Sequence, residues 1–291
     1  MGVERATHFC PACADEGKVI NQRLPGQLPY PKCEYRLPGV NGNLCCICQH
    51  TQKRGECCIL VRNRVSGASI IAAICITWKG DPVREENLSL RAKYNITAMF
   101  YDMLDYPWER IYREWRPGLL GDLRGKVLEA GVGTGRNFRH YHESVELTGV
   151  DLSDVMLRKA AKKAQYASCE IELLHDDASV MSSVGSNQYD WIISTFLCCV
   201  MPDEFQPSAL EQFSRVLKPG GRFRLLEMIY SKNRKIRRRQ EFFTAFVEKV
   251  YGARFDRKTV QYIEESAELD ITDKHFLKDD VYLFIEGVRK K

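Results

Sequence analysis

The chain has 291 residues, 44% of them hydrophobic and 28% charged, with a formal net charge of +5. That length holds one large domain with an extension, or two modest domains, and the composition is that of a globular protein. So mild a charge does not mark a nucleic-acid binder, since duplex DNA binding usually needs a concentrated basic face, and the longest apolar run, ASIIAAICIT at 68–77, is shorter than the roughly 20 residues that cross a bilayer.

The first ten residues, MGVERATHFC, hold no apolar core of the kind a secretory leader carries. Ala6 stands where a myristoylation signal needs Ser or Thr. The expectation is a cytoplasmic protein, with contact at a membrane periphery as an option taken up below. Nine of the twelve cysteines fall in the first 75 residues. A reducing compartment keeps most of them as thiols. Cys10/Cys13 and Cys45/Cys48 form two C-x-x-C pairs, which in a zinc ribbon supply four thiolates. Here 31 residues separate the pairs, longer than the usual spacing. Residues 1–86 are therefore read as a cysteine-rich extension, poorly ordered or packed loosely on the domain, with no metal site assigned. Its turn signals are Leu24-Pro25-Gly26 and Leu37-Pro38-Gly39. Its one strand-like stretch is 69–78, after which Asp81-Pro82 breaks the chain.

From Asn87 the pattern changes, and residues 87–291 are read as a second domain. Residues 88–105 place Leu90, Tyr94, Thr97, Tyr101 and Leu104 on one helical face, with Asn87 as cap. A second helix, WERIYREWR, follows Pro107 and is predicted to stop at Pro117-Gly118. Beyond Gly125 strands are predicted at 126–130, 146–151, 170–174, 190–195 and 222–228. Helices are predicted at 136–142, 153–166 and 207–217. Strands alternating with helices imply an α/β fold: a doubly wound, mostly parallel sheet with helices on both faces. The tail offers two more strands, ITDKHF and DVYLFIEGV, around a turn at Lys278-Asp279-Asp280.

The stretch Val127-Leu128-Glu129-Ala130-Gly131-Val132-Gly133-Thr134-Gly135-Arg136-Asn137 runs from a buried strand into a glycine-rich turn. Glycines let a backbone turn tightly and come close to a ligand. A dinucleotide site wants its third glycine one residue later, where Arg136 stands. Glu129 would also repel a pyrophosphate. It suits a cation instead, such as the α-amino group of S-adenosylmethionine. Asp151 ends the next strand, where a carboxylate can accept from both ribose hydroxyls. His175-Asp176-Asp177-Ala178 ends the third, where an acid can accept from an adenine amine. Thr195-Phe196-Leu197 follows the fourth and closes over the ligand edge.

Read together, EAGVGTGRN, GVDLS, HDDA and VLKPGG resemble the successive motifs of class I S-adenosylmethionine-dependent methyltransferases. The resemblance covers roughly residues 90–291 and is nearest to the branch holding the ubiquinone/menaquinone C-methyltransferases and the phosphatidylethanolamine N-methyltransferases. It implies a Rossmann-like, seven-stranded sheet with an antiparallel last strand. It implies S-adenosylmethionine as cofactor, bound by Glu129, Gly131, Gly133, Asp151 and Asp177. Gly135, Asn137, Leu152, Ala178 and Thr195 complete the expected set, together with Tyr101 on a helix that resembles the branch's lid.

A sulfonium methyl is already electrophilic, so catalysis can rest on in-line positioning and exclusion of water. No residue announces itself as a general base. His140, His142 and His175 read as ordinary polar residues at element ends, and Cys198-Cys199 as small packing residues. The run KNRKIRRR at 232–239 leads into a helix with Phe243, Phe246, Val247, Val250 and Tyr251 on one face. Such a helix can dock on anionic lipid or lie on its own core. The expected activity is methyl transfer to a small acceptor, with a quinol or phospholipid amine favoured and no nucleic-acid partner. A zinc-ribbon nucleic-acid methyltransferase is the rival, but STFLCCVMP stands where the N/D-P-P-Y-type motif would. A catalytically silent cofactor-binding protein is the other.

Overall fold

The computed structural model describes residues 106–291 and, ahead of them, four strand segments at 33–35, 44–46, 56–65 and 68–77. The chain divides into two compact units, residues 1–78 and 79–291. The helix expected at 88–105, with Tyr94 and Tyr101, lies outside the described residues, as do Cys10 and Cys13.

In the first unit β1 (Cys33–Tyr35), β2 (Leu44–Cys46), β3 (Glu56–Val65) and β4 (Ala68–Thr77) pair antiparallel in chain order. β4 is the strand its β-branched run predicts. The sequence reading gives β3 no element, because ECCILVRNRV runs apolar and then charged without alternating. What sets it is its neighbour: Glu56 lies opposite Thr77 and Val65 opposite Ala68. Only Ser66 and Gly67 stand between the two strands, and Ser-Gly is a turn signal.

In the second unit α1 (Tyr106–Leu120) precedes β5 (Gly125–Ala130), β6 (Val145–Asp151), α2 (Asp154–Ala164), β7 (Glu170–His175) and β8 (Tyr189–Thr195). Then come α3 (Gln206–Val216), β9 (Leu217–Met228), α4 (Arg234–Tyr251), α5 (Thr259–Glu264), β10 (Leu269–Lys278) and β11 (Tyr282–Arg289). Within this unit the strand order is β7-β6-β5-β8-β9-β11-β10. The first five strands are mutually parallel, and β11 runs antiparallel between β9 and β10. This is the doubly wound, Rossmann-like sheet with a reversed last strand that the alternation and motifs imply.

The central strands are buried on both faces. Val127, Leu128, Ile192, Phe223 and Leu225 have no measurable exposure, which is why these strands read as continuous apolar runs. α2 presents Met156, Leu157, Ala160, Ala161 and Ala164 to the sheet, a helical spacing of one, three and four. Ser153 caps it by accepting from the Met156 amide.

Three local expectations are corrected. Residues 136–142 do not form an α-helix; only a 3-10 turn, Phe138–His140, is present. Five residues between the left-handed Gly135 and the extended Tyr141 are too few for two turns. Buried Asn137, Phe138 and Tyr141 anchor the segment instead. α1 does not stop at Pro117 but runs to Leu120, because Pro removes one amide bond near the end while Leu119 and Leu120 gain burial. β9 begins at Leu217 and not at 222: Leu217 pairs with Tyr189, the Lys218-Pro219-Gly220-Gly221 turn loops out, and the ladder resumes at Arg222 opposite Trp191. α5 has no counterpart in the sequence reading.

Arg224 fastens α1 to the sheet. Its guanidinium donates to the Leu119 carbonyl (2.7 Å), to both Asp122 oxygens (2.6 and 2.8 Å) and to Glu286 on β11 (2.6 Å). It also lies 4.8 Å from the Trp191 ring centre. This places one face of α1 beside the carboxyl ends of the strands.

Candidate functional site

β6 and β8 flank β5 on opposite sides, so the chain's direction of winding reverses there. In open α/β sheets that reversal opens a crevice at the strand carboxyl ends. A cavity of about 630 Å³ occupies it, within the range of small-molecule sites, about 300–1,000 Å³. Nine of the predicted cofactor residues line it: Glu129, Gly131, Gly133, Asn137, Asp151, Leu152, Asp177, Ala178 and Thr195. Gly135 does not, and Tyr101 lies outside the described residues.

The floor is built by the turn after β5. Gly131 has φ +73°, and a Cβ there would come within 3.0–3.4 Å of the Leu197 side chain. The amides of Gly131 and Val132 both donate to the Val150 carbonyl at 2.9 and 3.0 Å. The Gly133 amide donates to one Asp151 oxygen (2.8 Å) and the Ser153 amide to the other (2.9 Å). A Cβ on Gly133 would meet nothing within 4 Å, so its backbone faces open space. Asp177 accepts from the Ser179 amide (2.8 Å) and hydroxyl (2.7 Å) through the same oxygen.

Glu129 is 1% exposed. One of its oxygens accepts from Asn137 Nδ2 (2.7 Å), the other from the Tyr141 hydroxyl (2.9 Å). Burial pushes its carboxyl up to about 7, against the pull of those two donors and of Arg116. Burial likewise lifts Asp151 to about 6, opposed by the Ser153 and Gly133 amides. Each carboxylate oxygen keeps a second lone pair. A buried acid on the edge of ionising, beside a turn open for close backbone approach, fits a ligand that brings an ammonium and a ribose.

The other half of the cavity is apolar. Phe196, Met228, Phe243, Phe246, Val247 and Tyr282 line it. Tyr112 lies 4.6 Å from Phe196 and 5.7 Å from Tyr282, ring centre to ring centre. Phe196 has φ +61°, a strained conformation for a bulky residue and one that recurs at functional sites. α4 has no buried residue. Ile236, Phe243, Phe246, Val247 and Tyr251 face the cavity, while Phe242 points away and is 80% exposed. The apolar face seen in the sequence thus borders the cavity. Val250 is not among the lining residues.

Of the remaining candidates only Cys199 touches the cavity. His140, His142 and His175 are not in the cavity lining. Burial lowers His140 to about 4, helped by Arg116 and Arg139, so it stays neutral. His175 bonds the Leu152 carbonyl at 3.0 Å. Cys198 and Cys199 are buried, and burial followed by nearby Glu227 drives both thiols far up. Their amides hold the Glu227 carboxylate at 2.9 and 2.8 Å. These are packing cysteines. Among the described residues no His/Cys/Asp/Glu group could hold a metal.

Sequence reasoning missed Tyr112, Arg116, Arg136, Met228 and Tyr282. The signal for Arg116 was available: it falls on the same helical stripe as Tyr112, Leu119 and Leu120, an arginine among core positions.

Three acids whose folded pKa is raised should make the ligand-free protein less stable as pH rises. Glu129 and Glu227 sit at about 7 and Asp151 at about 6, above their unfolded values. The folded state therefore holds the extra protons, and their stabilisation is lost as pH rises from the unfolded carboxylate values of about 4 through the folded ones at about 6 and 7. His140 runs the opposite way below about 6.5, so comparison with Glu129→Gln isolates the effect. In denaturant melts the wild type should lose stability relative to this variant as pH rises from about 4.5 to about 7, and the difference should level off above that. Parallel pH profiles would contradict the burial of an ionising Glu129.

Comparison with known proteins agrees with this geometry. Residues 127–221 match the family described as "Methyltransferase domain". The chain is 32% identical over 151 residues to the ubiquinone/menaquinone biosynthesis C-methyltransferase of Syntrophotalea carbinolica, covering 49% of this chain and 62% of that protein. It is 33% identical over 99 residues to the phosphatidylethanolamine N-methyltransferase of Cereibacter sphaeroides, covering 33% and 47%. These matches span less than two thirds of either relative's length. A crystal structure of a possible exported protein from Bordetella parapertussis matches with a TM-score of 0.50 at 19% identity, over 62% of this chain and 68% of that one, and shares the fold.

Proposed function

We infer that this chain, which carries an S-adenosylmethionine-dependent methyltransferase domain, moves the sulfonium methyl of that cofactor to a small lipophilic acceptor. The observation that carries the reading is one cavity with two chemistries: the Glu129, Gly133, Asp151 and Asp177 floor, and an aromatic half under α4. S-adenosylmethionine supplies a methyl on a positively charged sulfur, which needs no further activation. The residues supply position. Glu129 takes the ammonium, Asp151 the ribose hydroxyls and Asp177 the adenine edge. Phe196, Tyr112 and Tyr282 wall the reacting end and keep water out, which favours in-line attack. Gly135 acts behind this surface, letting Phe138 close on the turn.

A quinol or a phospholipid amine is the acceptor class we favour, because the apolar half suits a lipid-like molecule and relatives are named for both. The basic residues of α4 then serve to bring the cavity mouth to an anionic surface. Arg234, Lys235 and Arg238 are exposed. Arg237 and Arg239 are exposed too, but Arg237 also pairs with Glu241 (3.0 Å) and stacks on Tyr230, and Arg239 borders the cavity. Among the described residues no helix is long and apolar enough to span a membrane.

Incubation with methyl-labelled cofactor tests the acceptor. Label should pass to a solvent-extractable quinol or phosphatidylethanolamine presented in vesicles. In co-sedimentation, binding should rise with anionic lipid and fall with salt. Changing Arg234, Lys235 and Arg238 together to Ala should cut it, each cation contributing roughly 1 kcal/mol. Transfer only to water-soluble acceptors, with protein left in the supernatant, would sink the lipid reading while leaving the methyltransferase one intact.

A further inference from the structure

We propose that Glu227 is a positioning residue for the methyl-transfer site: its buried carboxylate latches the backbone after β8, and through that backbone it holds Phe196 in the left-handed conformation that walls the cavity. The inference rests on the cofactor reading above and adds to it a residue outside the cavity lining. Glu227 is the last residue but one of β9 and is 2% exposed. One carboxylate oxygen accepts from the Cys198 amide and the other from the Cys199 amide. It has no cation partner among the described residues. Arg257 borders the same small void, but it donates to Asp203 (3.2 Å) and, at 3.5 Å, to the Cys199 carbonyl. Burial without a counter-ion pushes the Glu227 carboxyl up to about 7, opposed by the two amides and both thiols. Burying an acid in this way is unfavourable, and an apolar side chain would fill the position more easily. What the acid supplies is a grip on one turn.

That turn follows a strained residue. Phe196 has φ +61°, which a bulky L-residue keeps only where its surroundings impose it. Its amide donates to the Leu226 carbonyl (2.8 Å), and its carbonyl accepts from Cys199 Sγ (3.3 Å). Directly after it, the Val200 and Met201 amides both donate to the Leu197 carbonyl, at 3.1 and 2.9 Å. A turn closed in this way leaves its first amides without a partner inside it, and those of Cys198 and Cys199 are the two that Glu227 takes. The carbonyls of the same two residues are held by other elements: Gln206 Nε2 donates to that of Cys198 (3.0 Å) and the Arg254 amide to that of Cys199 (2.8 Å). The effect reaches both parts of the site. The Phe196 ring centre lies 4.6 Å from that of Tyr112 and 6.4 Å from that of Tyr282. Leu197 packs on Gly131 so closely that a Cβ there would lie 3.0 Å from it. Releasing the turn therefore loosens the wall at the reacting end and the cover over the glycine turn together.

A double-mutant cycle on the full chain at about pH 8, where Glu227 is ionised, separates this role from an ordinary structural contact. Glu227→Gln keeps the shape but sets an NH₂ against one of the two backbone N–H groups, so one bond is lost. Phe196→Gly removes the need for the latch, because glycine takes up a positive φ freely. Two quantities are read: the Kd of S-adenosylmethionine by calorimetry, and hydrogen exchange at the Val200 and Met201 amides, which bond Leu197 and not Glu227. Glu227→Gln alone should weaken cofactor binding about five- to tenfold and speed that exchange about tenfold. Added to Phe196→Gly, the same change should alter either quantity by less than about twofold. Should Glu227→Gln fail to fold, Phe196→Gly should restore folding, and a double variant that stays unfolded overturns the assignment. Effects that multiply in the double variant, coupling in only one of the two quantities, or no effect of Glu227→Gln overturn it too and leave the cofactor reading standing. A wild type that does not bind S-adenosylmethionine overturns that reading, and the assignment with it.

Discussion

Glu129→Gln should weaken S-adenosylmethionine binding by about 10–100-fold, the loss expected when a charge-assisted contact in a buried site becomes neutral, about 1.5–3 kcal/mol. The fold should tolerate the change. The Gln amide oxygen can keep the bond from Asn137 Nδ2, and its NH₂ can donate to Tyr141, whose hydroxyl turns to accept. The variant should also lose a pH dependence that the wild type has. With the Glu129 carboxyl at about 7 in the free protein, an ammonium ligand must first find it ionised. Wild-type affinity should therefore fall roughly tenfold between about pH 7 and about pH 5.5, following the protonated fraction. Affinity in the variant should fall less over the same range, with Asp151, at about 6, the remaining binding acid that titrates there. Unchanged affinity, or a wild-type profile without that slope, would place the ammonium elsewhere.

The second large effect concerns stability. Gly135→Ala should destabilise the protein by about 2–4 kcal/mol in denaturant unfolding. Gly135 has φ +75°, where an L-residue costs about 1–2 kcal/mol. Its Cβ would also sit 2.5 Å from Phe138 Cε2 and 3.1 Å from Ala160 Cα. Phe138 is fully buried, and overpacking of this kind adds about 1–3 kcal/mol. Displacing Phe138 shifts Asn137, so cofactor affinity falls as well. Gly133→Ala is the informative contrast. It shares the left-handed backbone, φ +55°, but its Cβ meets nothing. It should cost only about 1–2 kcal/mol of stability while putting a methyl group into the cavity, where the proposed site would take the cofactor's amino-acid end. If both variants lose stability equally, the structural role given to Gly135 is wrong.

These two glycines show what the sequence could reveal. The spacing of Gly131, Gly133 and Gly135 after an apolar strand makes the turn legible, because backbone conformation is encoded locally. It does not say which glycine faces a ligand and which a phenylalanine, since that depends on Phe138 packing against Ala160 of α2. Glu129, Asp151, Asp177 and Thr195 were legible for a similar reason: each sits at the end of a strand, and parallel pairing gathers strand ends at one edge. Arg116 was not. It stands on a helix that precedes the sheet, and only the Arg224 clamp to Leu119, Asp122 and Glu286 brings that helix to the site. Residues 136–142 misled because their apolar spacing fits a helix, whereas the positive φ of Gly135 turns the chain first. β3 escaped notice because its pattern makes sense only beside β4.

α4 illustrates a different limit. Its sequence is compatible with a core helix and with a membrane-surface helix, and the structure gives it a position between the two. Phe243 and Phe246 border the cavity yet remain 52% and 56% exposed, beside an outward Phe242. Amphipathicity fixes which face is apolar, while what that face meets is a property of the assembled fold.

The most direct test of the central claim is calorimetric titration of the wild-type chain with S-adenosylmethionine and, separately, with NADH. The strand-end acids and the glycine turn at Gly131–Gly135 predict saturable one-to-one binding of S-adenosylmethionine and no comparable binding of NADH, whose pyrophosphate would lie against Glu129. Saturable NADH binding with no heat from S-adenosylmethionine would contradict the account and return the turn to the dinucleotide class.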